Sequence, residues 1–254
     1  MPSHPFRVAG RSIRFFWFCA TALGDFWSSV RPVEKKHGRR DYRRRADWAH
    51  RQARRLCKVL DLEVGSVGEV PTARFLCSNH LGYLDIVTLI AVTPVVFVAK
   101  AEVRGWPVVG WLTRCAGTIY LQRERKGDLV DVAKQFDPVI EADVPVVIFL
   151  EGTSSGGDDV LPFRPSLLAS AVGNGWSVAP VALDYSVEDG TVAEDVAYWR
   201  DMTFFPHLLN LLSKPRLGGR VAFGAGRHPG EDRKALAKEL RDQVVALRAP
   251  RPGA

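Results

Sequence analysis

A histidine and an aspartate stand five positions apart in Asn79-His80-Leu81-Gly82-Tyr83-Leu84-Asp85. An imidazole held by a carboxylate is a general base for any hydroxyl or thiol that reaches its other ring nitrogen. Unperturbed, such a ring titrates at about 6.5, which suits a base at neutral pH. The bland alternative is an ordinary helix start, with His80 bonded to a backbone group and Asp85 solvated. The flanking residues decide where the pair sits. Phe75-Leu76-Cys77-Ser78 is a short apolar run and reads as a buried strand. Tyr83, Leu84, Ile86, Val87, Leu89 and Ile90 follow with helical periodicity. His80 and Asp85 are therefore expected at a strand-to-helix corner, where open α/β sheets place ligand chemistry.

Further polar residues emerge from apolar runs. Lys100-Ala101-Glu102 follows Val95-Val96-Phe97-Val98-Ala99. Lys100 is either a functional cation or a residue snorkelling to water. Gly117 to Arg123 runs from a glycine through a strand to an arginine able to fork onto phosphate or carboxylate. The strongest core strand, Pro145 to Leu150, ends in Glu151-Gly152-Thr153-Ser154-Ser155-Gly156-Gly157. Gly152 to Gly156 fits the G-x-S-x-G nucleophile pattern around Ser154, with Asp195 or Asp201 and His207 or His228 as nominal triad partners. That elbow needs a helix directly after the serine. Gly157-Asp158-Asp159-Val160-Leu161-Pro162 opposes one. The glycines are better read as a turn that brings Glu151 and backbone amides near His80.

The elements that must carry these residues alternate. Strands are expected at 74–78, 94–98, 118–121, 145–150, 177–183 and 219–224. Helices are expected at 83–92, 127–142, 165–173, 204–213 and 231–247. Residues 61–72 read as a linker, although Leu62 and Val64 allow a short strand. The fold class is α/β, a layered mixed sheet with flanking helices. With 254 residues and 46% apolar content the chain can build one substantial core. Four widely spaced cysteines, Cys19, Cys57, Cys77 and Cys115, have no metal-ligand spacing and read as reduced, buried thiols. No metal cluster is evident, and no cofactor is expected.

Charge divides the chain into residues 1–60, an aromatic and basic segment, and 61–254, the α/β domain. The overall charge is +7, but residues 1–60 alone carry +11 and the remainder −4. Phe15 to Gly24 is an apolar, aromatic decamer. It is too short to cross a bilayer, which takes about 20 residues. Aromatic rings suit the headgroup level. From Arg31 to Lys58 there are 12 lysines and arginines, interleaved with Trp48, Ala49, Ala53, Leu56, Val59 and Leu60. One aromatic and one basic helix would make an interfacial anchor on an anionic membrane surface. The alternative is a helical cap packed on the sheet with solvated arginines. Nucleic acid is disfavoured: the body has no zinc-finger spacing, RNA-recognition signature or basic-aromatic platform.

Read together, the separated motifs resemble those of the 1-acylglycerol-3-phosphate acyltransferase type of glycerolipid acyltransferases. Asn79-His80 with Asp85 is similar to the first motif, Gly117 through Arg123 to the second, Glu151-Gly152-Thr153 to the third and Val178-Ala179-Pro180-Val181 to the fourth. Lys100, Glu102, Pro107 and Gly110 resemble the stretch between the first two. The likeness covers roughly residues 60–225. It implies that His80, oriented by Asp85, takes the proton from a lysolipid hydroxyl, which attacks the thioester of acyl-CoA or acyl-carrier protein. It further implies that Lys100 and Arg123 hold an anionic headgroup, and that Glu151, Gly152 and Thr153 shape the acceptor site. The third motif departs from the common form. Leu150 and Ser154 stand where many phosphate-using members carry proline and arginine. Leu161 to Leu167 and Tyr198 to Met202 are similar to a subgroup that includes lyso-ornithine lipid acyltransferases, and Arg164 would restore a cation there. The resemblance implies a protein at the cytoplasmic face of the membrane. The acceptor is expected, by a narrow margin, to be 1-acyl-sn-glycerol 3-phosphate, with lyso-ornithine lipid as the alternative. A basic lipid-binding or nucleic-acid-binding protein is the non-enzyme alternative.

Overall fold

The computed structural model describes residues 4–106, 108–121 and 129–248. Apolar runs become strands: β1 (Leu62–Val67), β2 (Phe75–Ser78), β3 (Val96–Lys100), β4 (Ile119–Leu121), β5 (Val146–Phe149), β6 (Val178–Val187) and β7 (Leu217–Phe223). They form one seven-stranded sheet in the order β1-β7-β6-β2-β5-β3-β4. Among these strands the β6–β7 pairing is antiparallel and the others are parallel. All four residues of β2 are buried, as expected for a central strand covered on both faces.

Register sets the functional edge. Ser78 lies beside Phe149 and Val181, Phe97 beside Val147, and Lys100 beside Leu121. The carboxyl ends of β2, β5, β3 and β4 therefore finish along one side of the sheet. His80, Glu151 and Lys100 leave the sheet from that side.

Alternating side chains feed two cores. Leu76, Leu84, Leu89, Trp48, Leu56 and Phe18 fill one face, against α1 (Pro5–Asp25), α3 (Tyr42–Leu60), α4 (Leu84–Val92) and α8 (Phe204–Ser213). Phe75, Cys77, Phe136, Val146, Leu236 and Leu240 fill the other, against α6 (Leu129–Glu141), α7 (Ala169–Gly173) and α9 (Arg233–Leu247). Asp232 caps α9, accepting the N–H groups of Lys234 and Ala235, so the expected start at 231 moves by two residues. All four cysteines are free thiols; three are buried and Cys19 is half-buried.

Two expectations need correction. Residues 62–67 form β1, paired parallel with β7; the short strand allowed by Leu62 and Val64 is present, and the linker reading of 61–72 is cut back to the residues that follow it. The apolar stripe of the basic helix α3 faces protein rather than lipid. Ala46, Trp48, Ala49, Ala53, Leu56, Cys57 and Leu60 are buried, and α3 packs on α4. Its Arg45 is buried too, forked onto Glu34 of α2 (Arg31–His37) at 2.5 and 2.7 Å.

The first helix keeps two apolar faces. Phe18 and Ala22 are buried, and α1 packs on α3 and α8. Arg11 is buried on that side, where its guanidinium donates to the carbonyls of Leu212, Lys214 and Pro215 and pairs with Asp61. The opposite face leaves Phe6, Ile13, Phe16 and Trp17 exposed, the last two at 75% and 69%, and Trp27 continues the stripe. Among the described residues, no helix is long and apolar enough to cross a membrane.

Candidate active site

The corner after β2 is built from its backbone outward. Asn79 ends the strand but keeps its pairing. Its side-chain amide donates to Leu183 O at 3.0 Å and accepts the Leu183 N–H at 2.8 Å, as a strand neighbour would. The next carbonyls are used as well: His80 O accepts the Ser155 N–H at 2.9 Å and Leu81 O the Tyr198 N–H at 2.8 Å. Gly82 must be glycine, because a Cβ there would lie 2.8 Å from the Tyr198 backbone nitrogen.

Asp85, one residue into α4, is completely buried. Its Oδ2 accepts His80 Nδ1–H at 2.7 Å and the N–H groups of Leu81 and Gly82 at 2.6 and 2.9 Å. Its Oδ1 accepts the Tyr185 hydroxyl at 2.8 Å, and that hydroxyl also lies 3.0 Å from Thr88 Oγ1. Burial, and then the charge of Asp85, hold the Tyr185 phenol well above its usual range, so it stays a donor. An oxygen that only accepts fixes the proton of the neutral ring on Nδ1, so that tautomer carries its lone pair on Nε2. The ring is stacked on Phe149, with centroids 3.9 Å apart and planes 11° from parallel, and its side chain is 22% exposed. Fixed tautomer, fixed plane and an open edge are what a general base requires.

Glu151 follows β5 on the same side. It is buried, its Oε1 accepts the Leu161 N–H at 3.2 Å, and its Oε2 has no hydrogen-bond partner. Burial pushes its carboxyl up to about 8; the charge of Asp85 adds to this, while the Leu161 N–H it accepts and the nearby His80 N–H, outside hydrogen-bonding geometry, oppose it. At neutral pH the group is mostly protonated and offers an O–H. Gly152 has a φ of +71°, and a Cβ there would fall 2.8 Å from the Arg164 side chain. Glycine is required here because Arg164 lies across this turn, its Nε–H donating to Glu151 O at 3.1 Å.

The expected residues therefore divide. His80, Asp85 and Glu151 come together, and Gly152 with Arg164 forms the adjoining turn. Lys100 ends β3 on the same side of the sheet and is exposed. Thr153 is exposed on the turn. Arg123 lies outside the described residues, as does Pro107. No helix follows Ser154; the chain runs irregularly to Pro165. His207 does not pair with Asp201. It meets the Tyr83 hydroxyl at 2.8 Å and the Ala197 carbonyl at 3.0 Å, in a buried position that lowers its pKa. Sequence reasoning missed Tyr185 and Phe149. Tyr185 lies past the expected end of its strand at 183; an apolar run continuing into Asp184-Tyr185 was the available signal. Phe149 was counted as core only.

Comparison with known proteins agrees with this geometry. The family model described as Acyltransferase matches residues 68–184. A lyso-ornithine lipid O-acyltransferase of Rhodobacter capsulatus is 37% identical over 145 residues, covering 56% of this chain. That match spans about half, 52%, of the relative's own length. A 1-acyl-sn-glycerol-3-phosphate acyltransferase of Neisseria meningitidis is 32% identical over 191 residues, covering 74% of each chain. The crystal structure of the 1-acyl-sn-glycerophosphate acyltransferase PlsC from Thermotoga maritima superposes over 95% of both chains with a TM-score of 0.63, at 17% identity. This last likeness is one of fold.

Proposed function

We propose that this chain, which belongs to the PlsC-type family of lysolipid acyltransferases, works by direct transfer from a thioester to a lysolipid hydroxyl. The donor is acyl-CoA or acyl-carrier protein. His80 Nε2 takes the hydroxyl proton as the oxygen attacks the thioester carbonyl. The C–S bond then breaks, and the departing sulfur receives the proton back from His80. The ester forms without a covalent enzyme intermediate. The observation that carries this is the Asp85–His80 pair at 2.7 Å, which in the neutral ring puts the proton on Nδ1 and leaves the lone pair on Nε2. Glu151, protonated and beside the base, holds a headgroup acceptor atom or orders its loop.

Lyso-ornithine lipid is the acceptor assigned first. The relative with that activity is the more similar of the two described. An ornithine headgroup carries one carboxylate and one ammonium, and the third-motif turn offers one cation, Arg164, in place of the arginine absent at Ser154. The second reading, 1-acyl-sn-glycerol 3-phosphate, is favoured by Lys100, a cation at the end of β3. Both acceptors are membrane lipids, and the outward stripe of Phe6, Ile13, Phe16, Trp17 and Trp27 supports peripheral contact with a membrane.

The test is transfer from one labelled acyl donor into a panel of lysolipids by the purified protein. Product from lyso-ornithine lipid alone is the expected outcome. Product from lysophosphatidic acid alone would reassign the acceptor, and no product from any lysolipid would contradict the reading. Replacing Phe16 and Trp17 by serine should weaken binding to anionic vesicles; unchanged binding would remove the membrane proposal. Nucleic-acid binding that vesicles do not compete would favour the non-enzyme reading of the basic segment.

A further inference from the structure

Outside the His80 site lies a cavity lined mainly by cations and aromatic rings. It has a volume of about 490 Å³ and lies along the outer edge of β4. Arg31, Arg40, Arg45, Arg104 and Arg114 all reach it, and no carboxylate lines it among the described residues. Arg45 is its fixed floor, forked onto Glu34 and donating to the carbonyls of Arg114 and Cys115 at 2.6 and 3.2 Å. Arg31 leans on the same glutamate at 3.6 Å. Arg40, Arg104 and Arg114 are exposed and have no ion-pair partner among the described residues. Trp27, Tyr42, Trp111 and Tyr120 supply ring faces. Glu34 offsets Arg45 and Arg31 only; the like charges of Arg40, Arg104 and Arg114 repel each other, and a polyanion relieves that cost.

Position selects the polyanion. Arg104 follows β3 by four residues at the carboxyl end of the strands, and Tyr120 pairs with Ala99 near that same end. From β2, which leads to His80, to β4 there are three strand spacings, about 14 Å. The phosphate of a lysophospholipid lies only a few bonds from its reacting hydroxyl, so an acceptor held at His80 cannot also reach this cavity. A pantetheine thioester can. Twelve bonds separate its sulfur from the first phosphate oxygen, as many as in four residues of extended chain, about 14 Å.

Resting on the acyl-transfer reading above, we infer that this arginine cavity binds the phosphorylated nucleotide end of an acyl-CoA donor. The free guanidiniums take its phosphates, an aromatic face takes the purine, and the pantetheine arm runs along the carboxyl edge to His80. The match is one of charge as well as length: several uncompensated guanidiniums exceed what a single lipid phosphate neutralises, whereas CoA carries three phosphate groups.

The experiment compares wild type with Arg104→Gln, Arg114→Gln and the double variant, using acyl-CoA and the corresponding acyl-pantetheine. For acyl-CoA, KM should rise about tenfold per arginine, as for loss of one charge-assisted contact, with kcat and the acceptor KM unchanged. For acyl-pantetheine the variants should match wild type. Equal KM increases with both donors, an increase in the acceptor KM, or no change at all would overturn the assignment. So would efficient use of acyl-carrier protein with acyl-CoA inert. Direct binding of adenosine 3′,5′-bisphosphate, read by tryptophan fluorescence, separates the two readings. Binding by wild type that the double variant loses supports the cavity even if no lysolipid is acylated. Absence of binding in an active enzyme removes the cavity and leaves the acyl-transfer reading intact.

Discussion

Two loops meet at the candidate site and are built in opposite ways. At the corner after β2 the groups that hold the base are paired, with the Ser78 hydroxyl before them the buried exception: Asp85 accepts four donors, Asn79 imitates a strand neighbour, and the carbonyls of His80 and Leu81 are both bonded. The turn after β5 keeps Glu151 Oε2 unpartnered and leaves Thr153 and Arg164 exposed. A fully satisfied buried network fixes geometry, and an unsatisfied polar group in a cleft is held ready for something else. On the proposed reading, the first loop positions the base and the second selects what that base acts on. The contrast predicts large rate effects at the corner and smaller, substrate-dependent ones at the turn.

The largest effect short of removing the histidine is expected from Asp85→Asn. An amide that donates one hydrogen would favour the other imidazole tautomer, placing a proton on Nε2. Acyl transfer should fall by about 10³-fold or more. Thermal unfolding of the same variant is the control, because the amide also meets two backbone N–H groups. A fall of less than tenfold would show that the corner does not set the tautomer.

Arg164→Gln should act through KM for the acceptor, raising it about tenfold for an anionic or zwitterionic headgroup while changing kcat little. An equal loss on a lysolipid with a neutral headgroup would mean that Arg164 only braces Gly152. At Gly152 itself, alanine should cost about 1–3 kcal/mol in urea unfolding, for its positive φ and for displacing Arg164. A neutral outcome would show the turn to be looser than described.

Glu151→Gln tests the turn from its protonated side. The glutamate is raised to about 8 in the folded protein, against about 4.5 unfolded. Between those values the folded state holds a proton that the unfolded state has lost, so stability falls as pH rises through the window and levels off above it. Glutamine keeps the neutral shape and should flatten that decline, with activity at pH 7 within a few-fold of wild type. Parallel stability profiles for the two proteins would contradict a buried neutral Glu151.

The legibility of the two loops in sequence differed for the same reason. His80 and Asp85 are linked by local geometry, five residues across a strand-to-helix corner, and spacing carries that information. Glu151 was legible as the polar residue ending the strongest apolar run. Tyr185, which completes the Asp85 site from 100 residues away, is joined to it only through the β2–β6 pairing, and no local pattern marks it. The alternation of strands and helices predicted the α/β class. It allowed β1 only as an addition to a linker, because Leu62 is its one buried side chain, and it did not predict α5 (Val109–Cys115), a helix of seven residues. The greasy stripe of α3 was visible in sequence, but which neighbour it faced was not. Periodicity shows that a helix has an apolar face and is silent on whether protein or lipid covers it.

The central claim is that His80 Nε2 is the base for direct transfer. Its most direct test is the initial rate of labelled acyl transfer to lyso-ornithine lipid by His80→Gln beside wild type, with thermal unfolding and vesicle binding measured on the same samples. The account predicts a loss of about 10³-fold or more, as for removal of a general base, with folding and vesicle binding retained. Transfer within tenfold of wild type by a folded His80→Gln protein would contradict it.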